Sequence, residues 1–587
     1  MARGWAVLFF LAAEVGAFAD DSLVSIGDAK YLAGPGAGGK IAYLRYPTLG
    51  CPSIVQAGST GTVWIKLNGA TASTFLLDIT PNSKTGPAYA LSVLGSTYDA
   101  STGITKVAYE VGSNVPEDTY DLHLSVPALA VSDLQYNCFK VVKEESADFR
   151  FIVIADTHFN TPTGFWLPGN HNPGGYDAYS IIEQMKKEIR ALRPTFVLLI
   201  GDLMFGLNYD TEYETVWGIW KDAGFPIFMI PGNHDGYASI KDRWLLGLHS
   251  PKRDGLDYWR NYFGPCAYSF EFGGVHFQGV NTMDGTPERR DGFLIVIENY
   301  GGDLGPEQMD WISADLAGVN GPVVPFLHHN PMGEYRANKT FSMSGWVLSR
   351  ILEFLTTGNL NEFVQEWNTQ ATGEFLLAKY AGRPLVFVGH KHIDDLKIHN
   401  GTTYKYVTTA GAGAFPGKKD YWGYAYVTVQ NSQVVEHLYT SDPKFQSVPT
   451  GNLHVRSVDG EGAEQSAKIT SGLSKSYGIT VEFVMPSAPA YVAANGFVVQ
   501  FAPIDAERTR VWVRTASPVA PSIHEPQSLT VTLKTAEAAV GGSVETPVAP
   551  PSGGGGCGAI GLEALLILGL LYFFSSSFRK RGSVRRL

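Results

Sequence analysis

Five apolar runs in the middle of the chain stop at side chains of the kinds that bind metal ions. FIVIADTH stops at Asp156 and His158, FVLLIGD at Asp202, and PIFMIPGNHD at Asn233, His234 and Asp235. VVPFLHHNP stops at His328 and His329, and PLVFVGHKH at His390 and His392. A lone histidine at a strand end is ordinarily a satisfied core residue, but five such ends in one region argue for chemistry. Alternate residues of an extended segment share a face, so Asp156 with His158, and His390 with His392, point the same way. Carboxylates mixed with neutral imidazoles suit Zn, Mn, Fe or Co, whereas an all-oxygen set would suit Mg or Ca. The two oxygens of Asp202 could bridge a pair of cations roughly 3.5–4 Å apart, an arrangement that supports in-line displacement at phosphorus. Asn233 would add a carbonyl oxygen without adding negative charge beside an anionic substrate.

These positions need a scaffold that brings distant strand ends to one edge. From Phe149 onward, apolar runs alternate with helical stretches such as YSIIEQMKKEIRALRP, which predicts an α/β domain over 147–440. In such folds ligands gather at the carboxyl ends of strands. Upstream, TVWIKL, FLLDI, TKVAYEV and TYDLHLSV alternate between Gly, Pro, Asn and Ser, and predict an N-terminal β-sandwich over 20–146. Downstream, KITSGL, GITVEFVM, GFVVQFA, TRVWVRT and SLTVTL predict a C-terminal β domain over 441–535. The expected fold class is therefore multidomain, with mixed sheets flanked by helices at the centre and a β domain on either side. At 587 residues the chain exceeds the roughly 250–300 at which a single core stops growing. Its net charge of -11 argues against nucleic acid as a partner.

The order D-x-H, GD, GNHD, a strand-end His and GHxH, spread over about residues 149–440, resembles the calcineurin-like metallophosphoesterase superfamily. The resemblance implies an α/β metallophosphoesterase sandwich with two divalent or transition metal ions, Fe, Mn, Zn or Co. Asp156, His158 and His392 would hold one ion, Asn233, His328 and His390 the other, and Asp202 would bridge. It further implies that His234 contacts the phosphoryl oxygen or protonates the leaving group, that Asp235 orients His234 through a hydrogen bond, and that a metal-bound hydroxide attacks the phosphate ester. His329 is the alternative to His328, which is preferred because it directly ends its apolar run. Phe205 stands where the purple acid phosphatase branch carries a tyrosine, so a purple ferric site is not expected. The β domain ahead of the catalytic one is similar to that of secreted metallophosphatases. The expected activity is phosphomonoester hydrolysis; the alternative is a phosphodiesterase or extracellular nucleotidase. A catalytically inactive binding protein is a third reading, against which the full set of ligand-type residues counts.

The chain ends bear on location. MARGWAVLFFLAAEVGAFADDS carries Arg3, an apolar stretch from Trp5 to Ala13, and small residues at Ala17 and Ala19, the pattern of a secretory signal peptide over 1–19. An Ala/Pro/Gly-rich linker over 536–556 leads into 557–587, with Cys557, an apolar run from Ala559 to Phe574, and a basic cluster from Arg579 to Arg586. This tail is similar to the tripartite sorting signals of bacterial surface proteins. It implies an exported protein at the cell envelope, anchored through a C-terminal transmembrane helix or handed to sorting machinery. The four cysteines, Cys51, Cys138, Cys266 and Cys557, show no CxxC spacing, so no thiolate zinc site is indicated. Whether Cys51 and Cys138 pair stays open at this level.

Overall fold

The computed structural model describes residues 24–536 apart from internal segments, the longest being 160–177, 337–367, 408–420 and 517–526. The expected signal peptide, nearly all of the linker and the tail lie outside the described residues. Among those described, no helix is long and apolar enough to cross a membrane.

Two sheets face each other at the centre. One follows the order Ile227–Ile230, Phe196–Ile200, Phe149–Ile154, Gly423–Gln430, Gln433–Glu436. The other follows Val24–Ile26, Tyr268–Phe272, Val275–Val280, Val323–Leu327, Leu385–Val388, Thr402–Tyr406, Asp395–His399. Strand alternation sorts their side chains. In Phe149–Ile154, Phe151 and Val153 enter the layer between the sheets, while Ile152 and Ile154 join the helical side. The inner layer is aromatic, built from Phe151, Phe196, Phe228, Phe270, Phe277 and Phe387, with Phe228 stacked on Phe270 at 3.6 Å. Helices Ala178–Leu192 and Tyr209–Trp220 cover one outer face through Ile182, Met185, Ile189, Tyr213 and Val216. Pro306–Ala317 and Gln370–Lys379 cover the other through Ile312 and Leu376. The result is a four-layer mixed α/β arrangement. Within it, Phe149–Ile154, Phe196–Ile200 and Ile227–Ile230 run parallel, as do Val275–Val280, Val323–Leu327 and Leu385–Val388.

Residues 44–142 form a separate eight-stranded sheet around Val63, Ile79, Leu122 and Phe139. Residues 453–536 form a four-stranded and a three-stranded sheet, whose core side chains Ile469, Val481, Phe483, Val511 and Val531 are continuous with the layer under Ala178–Leu192.

Two boundaries differ from the sequence expectation. Val24–Ile26 pairs antiparallel with Tyr268–Phe272, so the described chain starts in the central domain before it builds the sheet over 44–142. Asp28 secures this start, since its carboxylate accepts from Arg260 Nε at 2.9 Å and from the Cys266 backbone at 3.0 Å. At the far end Val448–Pro449 pairs with Gly423–Gln430 and carries the central sheet past residue 440. Cys51 and Cys138 are separate buried thiols because they lie in different cores.

One buried ion network ties the sheet to its outer helix. His276 Nε2 lies 2.9 Å from Asp315 Oδ2, His276 Nδ1 meets Glu271, and Ser269 Oγ donates to Asp315 Oδ1 at 2.7 Å. Burial opposes the charged imidazole, but the hydrogen bonds to Asp315 and Glu271 outweigh it and push His276 up to about 9. A raised folded-state value stabilises fully below the unfolded value near 6.5 and is lost as pH rises through about 9. Stability against thermal unfolding is therefore expected to fall between pH 7 and 9.5, by about 2 kcal/mol through this group. His276→Gln is expected to flatten that slope; equal slopes in both proteins would show that the network carries no such term.

Candidate metal centre

Three of the five strand ends turn through left-handed backbone. Among the described residues, thirteen non-glycine residues have positive φ, and five of them are Asp156 (54°), His158 (41°), Asp202 (55°), His390 (70°) and His392 (53°). Such conformations cost of order 1–3 kcal/mol each and persist where the surroundings over-determine them. Glycines clear the space around them. A Cβ on Gly201, itself at φ 86°, would come within 2.6 Å of His328 Nδ1, and one on Gly232 within 2.2 Å of Asp202 Oδ1.

The side chains form two groups that share one oxygen. In the first, His158 Nε2 lies 2.9 Å from His392 Nε2, 3.5 Å from Asp202 Oδ2 and 3.9 Å from Asp156 Oδ1, while His392 Nε2 lies 3.4 Å from Asp156 Oδ1. Ligand atoms bound tetrahedrally at 2.0–2.2 Å from one ion sit about 3.4 Å apart. The observed spacing brackets that value. In the second, His328 Nε2 lies 3.1 Å from Asp202 Oδ2 and 3.0 Å from Asn233 Oδ1, and His390 Nδ1 lies 2.8 Å from Asn233 Oδ1. His328 Nδ1 donates to the Ile200 carbonyl at 2.9 Å, so in a neutral ring the Nε2 lone pair faces two oxygens. That arrangement calls for a cation between them. Burial opposes charging His328, yet the Asp202 carboxylate pushes its value up to about 9, so a proton fills the same need.

The donor set thus fits metal ions. Asp156, His158, Asp202 and His392 offer four ligand atoms within 4.8 Å of one another, and His328, His329 and His390 offer three that are as close. His390 Nε2 is buried with no hydrogen-bond partner among the described residues. Burial holds His158 and His390 well below the ordinary imidazole value, which keeps their lone pairs available. Burial would raise Asp202, but His328, His234 and His158 outweigh it and keep the carboxylate well below its usual range.

Two expectations are corrected. Asp235 does not hydrogen-bond the His234 ring. The short helical turn Asn233–Gly236 folds its carboxylate backward, where Oδ1 accepts from the Leu203 backbone at 2.9 Å and Oδ2 from the Gly232 backbone at 2.8 Å. His234 Nδ1 instead donates to the Phe205 carbonyl at 2.7 Å. Burial, then the Asp202 charge, raises Asp235 to about 7. Nor does Asp202 face the two groups with two different oxygens: Oδ1 accepts from the His234 backbone at 2.9 Å, and Oδ2 alone lies toward both.

His328 reaches Asp202 and Asn233, whereas His329 lies with Nδ1 2.7 Å from Thr282 Oγ1 and its ring 4.6 Å from that of His390. His234 has its ring 4.6 Å from that of His158 and keeps partial exposure. Sequence reasoning missed Tyr237, whose hydroxyl accepts from Asn233 Nδ2 and so aims Asn233 Oδ1 at His328 and His390. The available signal was its i+4 spacing from Asn233 across a helical turn.

A family model described as calcineurin-like phosphoesterase matches residues 149–394. A probable cyclic nucleotide phosphodiesterase from Fibrobacter succinogenes is 25% identical over 211 residues, 35% of this chain and 62% of that protein. The match thus spans less than two thirds of the relative's length. Among solved structures, a purple acid phosphatase from yellow lupin (Lupinus luteus) seeds aligns at 14% identity with a TM-score of 0.37, covering 71% of each chain. Every strand end described above falls inside the segment, residues 149–394, that matches the calcineurin-like phosphoesterase model.

Proposed function

We propose that the chain is a metal-dependent phosphoesterase, acting on phosphomonoesters outside the cytoplasm. The observation that carries the proposal is the position of Asp202 Oδ2, 3.5 Å from His158 Nε2 and 3.1 Å from His328 Nε2, at the junction of two ligand groups. Asp156, His158 and His392 would hold one ion, Asn233, His328 and His390 the other, with Asp202 common to both. Ions bound there supply charge neutralisation at the phosphate and acidify water near neutral pH. The remaining work falls to the chain. Hydrolysis joins a water oxygen to phosphorus, breaks the bond to the ester oxygen, and requires a proton on that oxygen as it leaves. His234, fixed through Nδ1 by the Phe205 carbonyl, is the partly exposed imidazole beside the ligands and would hydrogen-bond the phosphate or deliver that proton. Asp235 would act on the backbone, holding the turn that carries Asn233 and His234.

The likeness to a probable cyclic nucleotide phosphodiesterase favours a second reading, diester hydrolysis at the same centre. Export rests on the residues of 1–19, and attachment or sorting at the envelope on those of 557–587. Metal analysis of the purified protein, with turnover of p-nitrophenyl and bis-p-nitrophenyl phosphate, tests the proposal. About two transition-metal ions per chain and faster monoester turnover are expected. Faster diester turnover selects the second reading, and folded protein that takes up no metal overturns both.

A further inference from the structure

Asp394 stands two residues beyond His392, and none of the roles above uses it. Its side chain is 3% exposed and that of its partner Lys405 is 0% exposed. Lys405 Nζ donates to it at 2.9 Å, the Gln446 backbone at 2.6 Å, the Ser447 backbone at 2.8 Å and Ser447 Oγ at 2.9 Å, and the Tyr421 hydroxyl donates as well. Three separate stretches of chain therefore converge on one carboxylate.

Stability alone is a poor reason to bury such a pair, since well-packed apolar residues often do as well. Its place in the chain supplies a better one. The loop from His390 to His392 carries both rings on left-handed backbone, a geometry that relaxes unless both ends are held. At its entry, the Gly389 backbone donates to the His328 carbonyl and the His390 backbone to the Asp156 carboxylate, each at 3.0 Å. At its exit stands Asp394, immediately before Asp395–His399, whose first residue pairs with Tyr406. Three of the five donors come from Gln446 and Ser447, which precede Val448–Pro449 and lead into the β strands that begin at Leu453.

We propose that Asp394, with Lys405, Tyr421 and Ser447, is the positioning anchor of the His390–His392 loop, so that the segment entering the C-terminal β domain sets the metal affinity of the centre. The inference rests on the metal-centre reading given above. It also gives residues 446–449 a task beyond linking two domains: they hold ligands in register for an ion that makes no contact with them.

Asp394→Asn would leave Lys405 buried and unpaired, and is expected to fold poorly. Ser447→Ala and Tyr421→Phe each remove one donor without unpairing a charge. Ser269→Ala removes a comparable bond, to Asp315, which belongs to the His276 network and not to the Asp394 cluster. The four proteins, wild type included, would be stripped of metal and titrated with zinc by calorimetry, alongside thermal unfolding of the stripped forms. Ser447→Ala and Tyr421→Phe are expected to bind zinc about 10–100-fold more weakly, with stripped-form midpoints within about 4 °C of wild type. Ser269→Ala is expected to show a similar midpoint and wild-type zinc affinity. Wild-type affinity in both loop variants, or equal weakening in Ser269→Ala, overturns the anchor while leaving the metal centre standing. A wild-type protein that binds no zinc removes the metal-centre reading and the anchor with it.

Discussion

Asp202→Asn protein is expected to fold, to hold about one metal ion or fewer in place of two, and to turn over phosphate esters at least about 10³-fold more slowly. The reason lies in how the two carboxylate oxygens are used. Oδ1 accepts the backbone hydrogen of His234, and Oδ2 faces His158 and His328. An asparagine must put its carbonyl oxygen where a hydrogen is donated, because its amide nitrogen cannot accept one. The amide NH2 then points at the place shared by both ligand groups, where it offers no lone pair. The substitution thus removes a charge and, in addition, aims donor hydrogens at the ions. Metal analysis and kcat/KM measured with added metal check the expectation, and circular dichroism confirms that the chain is folded. Normal turnover in folded Asp202→Asn protein would sink the proposed mechanism.

The site was legible in the sequence to the extent that it depends on local pattern. A buried parallel strand shows as an apolar run, and a polar ligand-type residue at its end stands out, so Asp156, His158, Asp202, Asn233, His328, His390 and His392 were visible before their distances were known. What stayed hidden depends on orientation or on distant partners. Asp235 sits beside His234 in sequence, yet the turn sends its carboxylate to the backbones of Leu203 and Gly232. Tyr237 reads as any tyrosine after a turn until its hydroxyl is found on Asn233. The pairing of Val24–Ile26 with Tyr268–Phe272 joins strands more than two hundred residues apart, and three residues hold no pattern that names a partner. Asp394 was unremarkable for the same reason: its donors come from Lys405, Tyr421 and the stretch 446–447, and only folding brings them to one point.

The second large effect is expected from His234→Ala, with the opposite metal outcome. The bond that supports Asp202 comes from the His234 backbone, which an alanine retains. Neither ligand group is spaced around the His234 ring, whose closest described neighbours include the Phe205 carbonyl and the ring of His158. Metal content should therefore stay at the wild-type level while kcat falls by about 10²–10⁴-fold, the usual range for losing a positioned acid. Leaving groups separate the two tasks open to this imidazole. p-Nitrophenolate departs readily without a proton, whereas an alkoxide does not. If His234 protonates the ester oxygen, the variant's loss must be larger for an alkyl phosphate than for p-nitrophenyl phosphate. If it only hydrogen-bonds the phosphoryl oxygens, both esters lose alike. Loss of metal in the variant would instead make His234 a ligand, and wild-type kcat on both esters would remove it from the reaction.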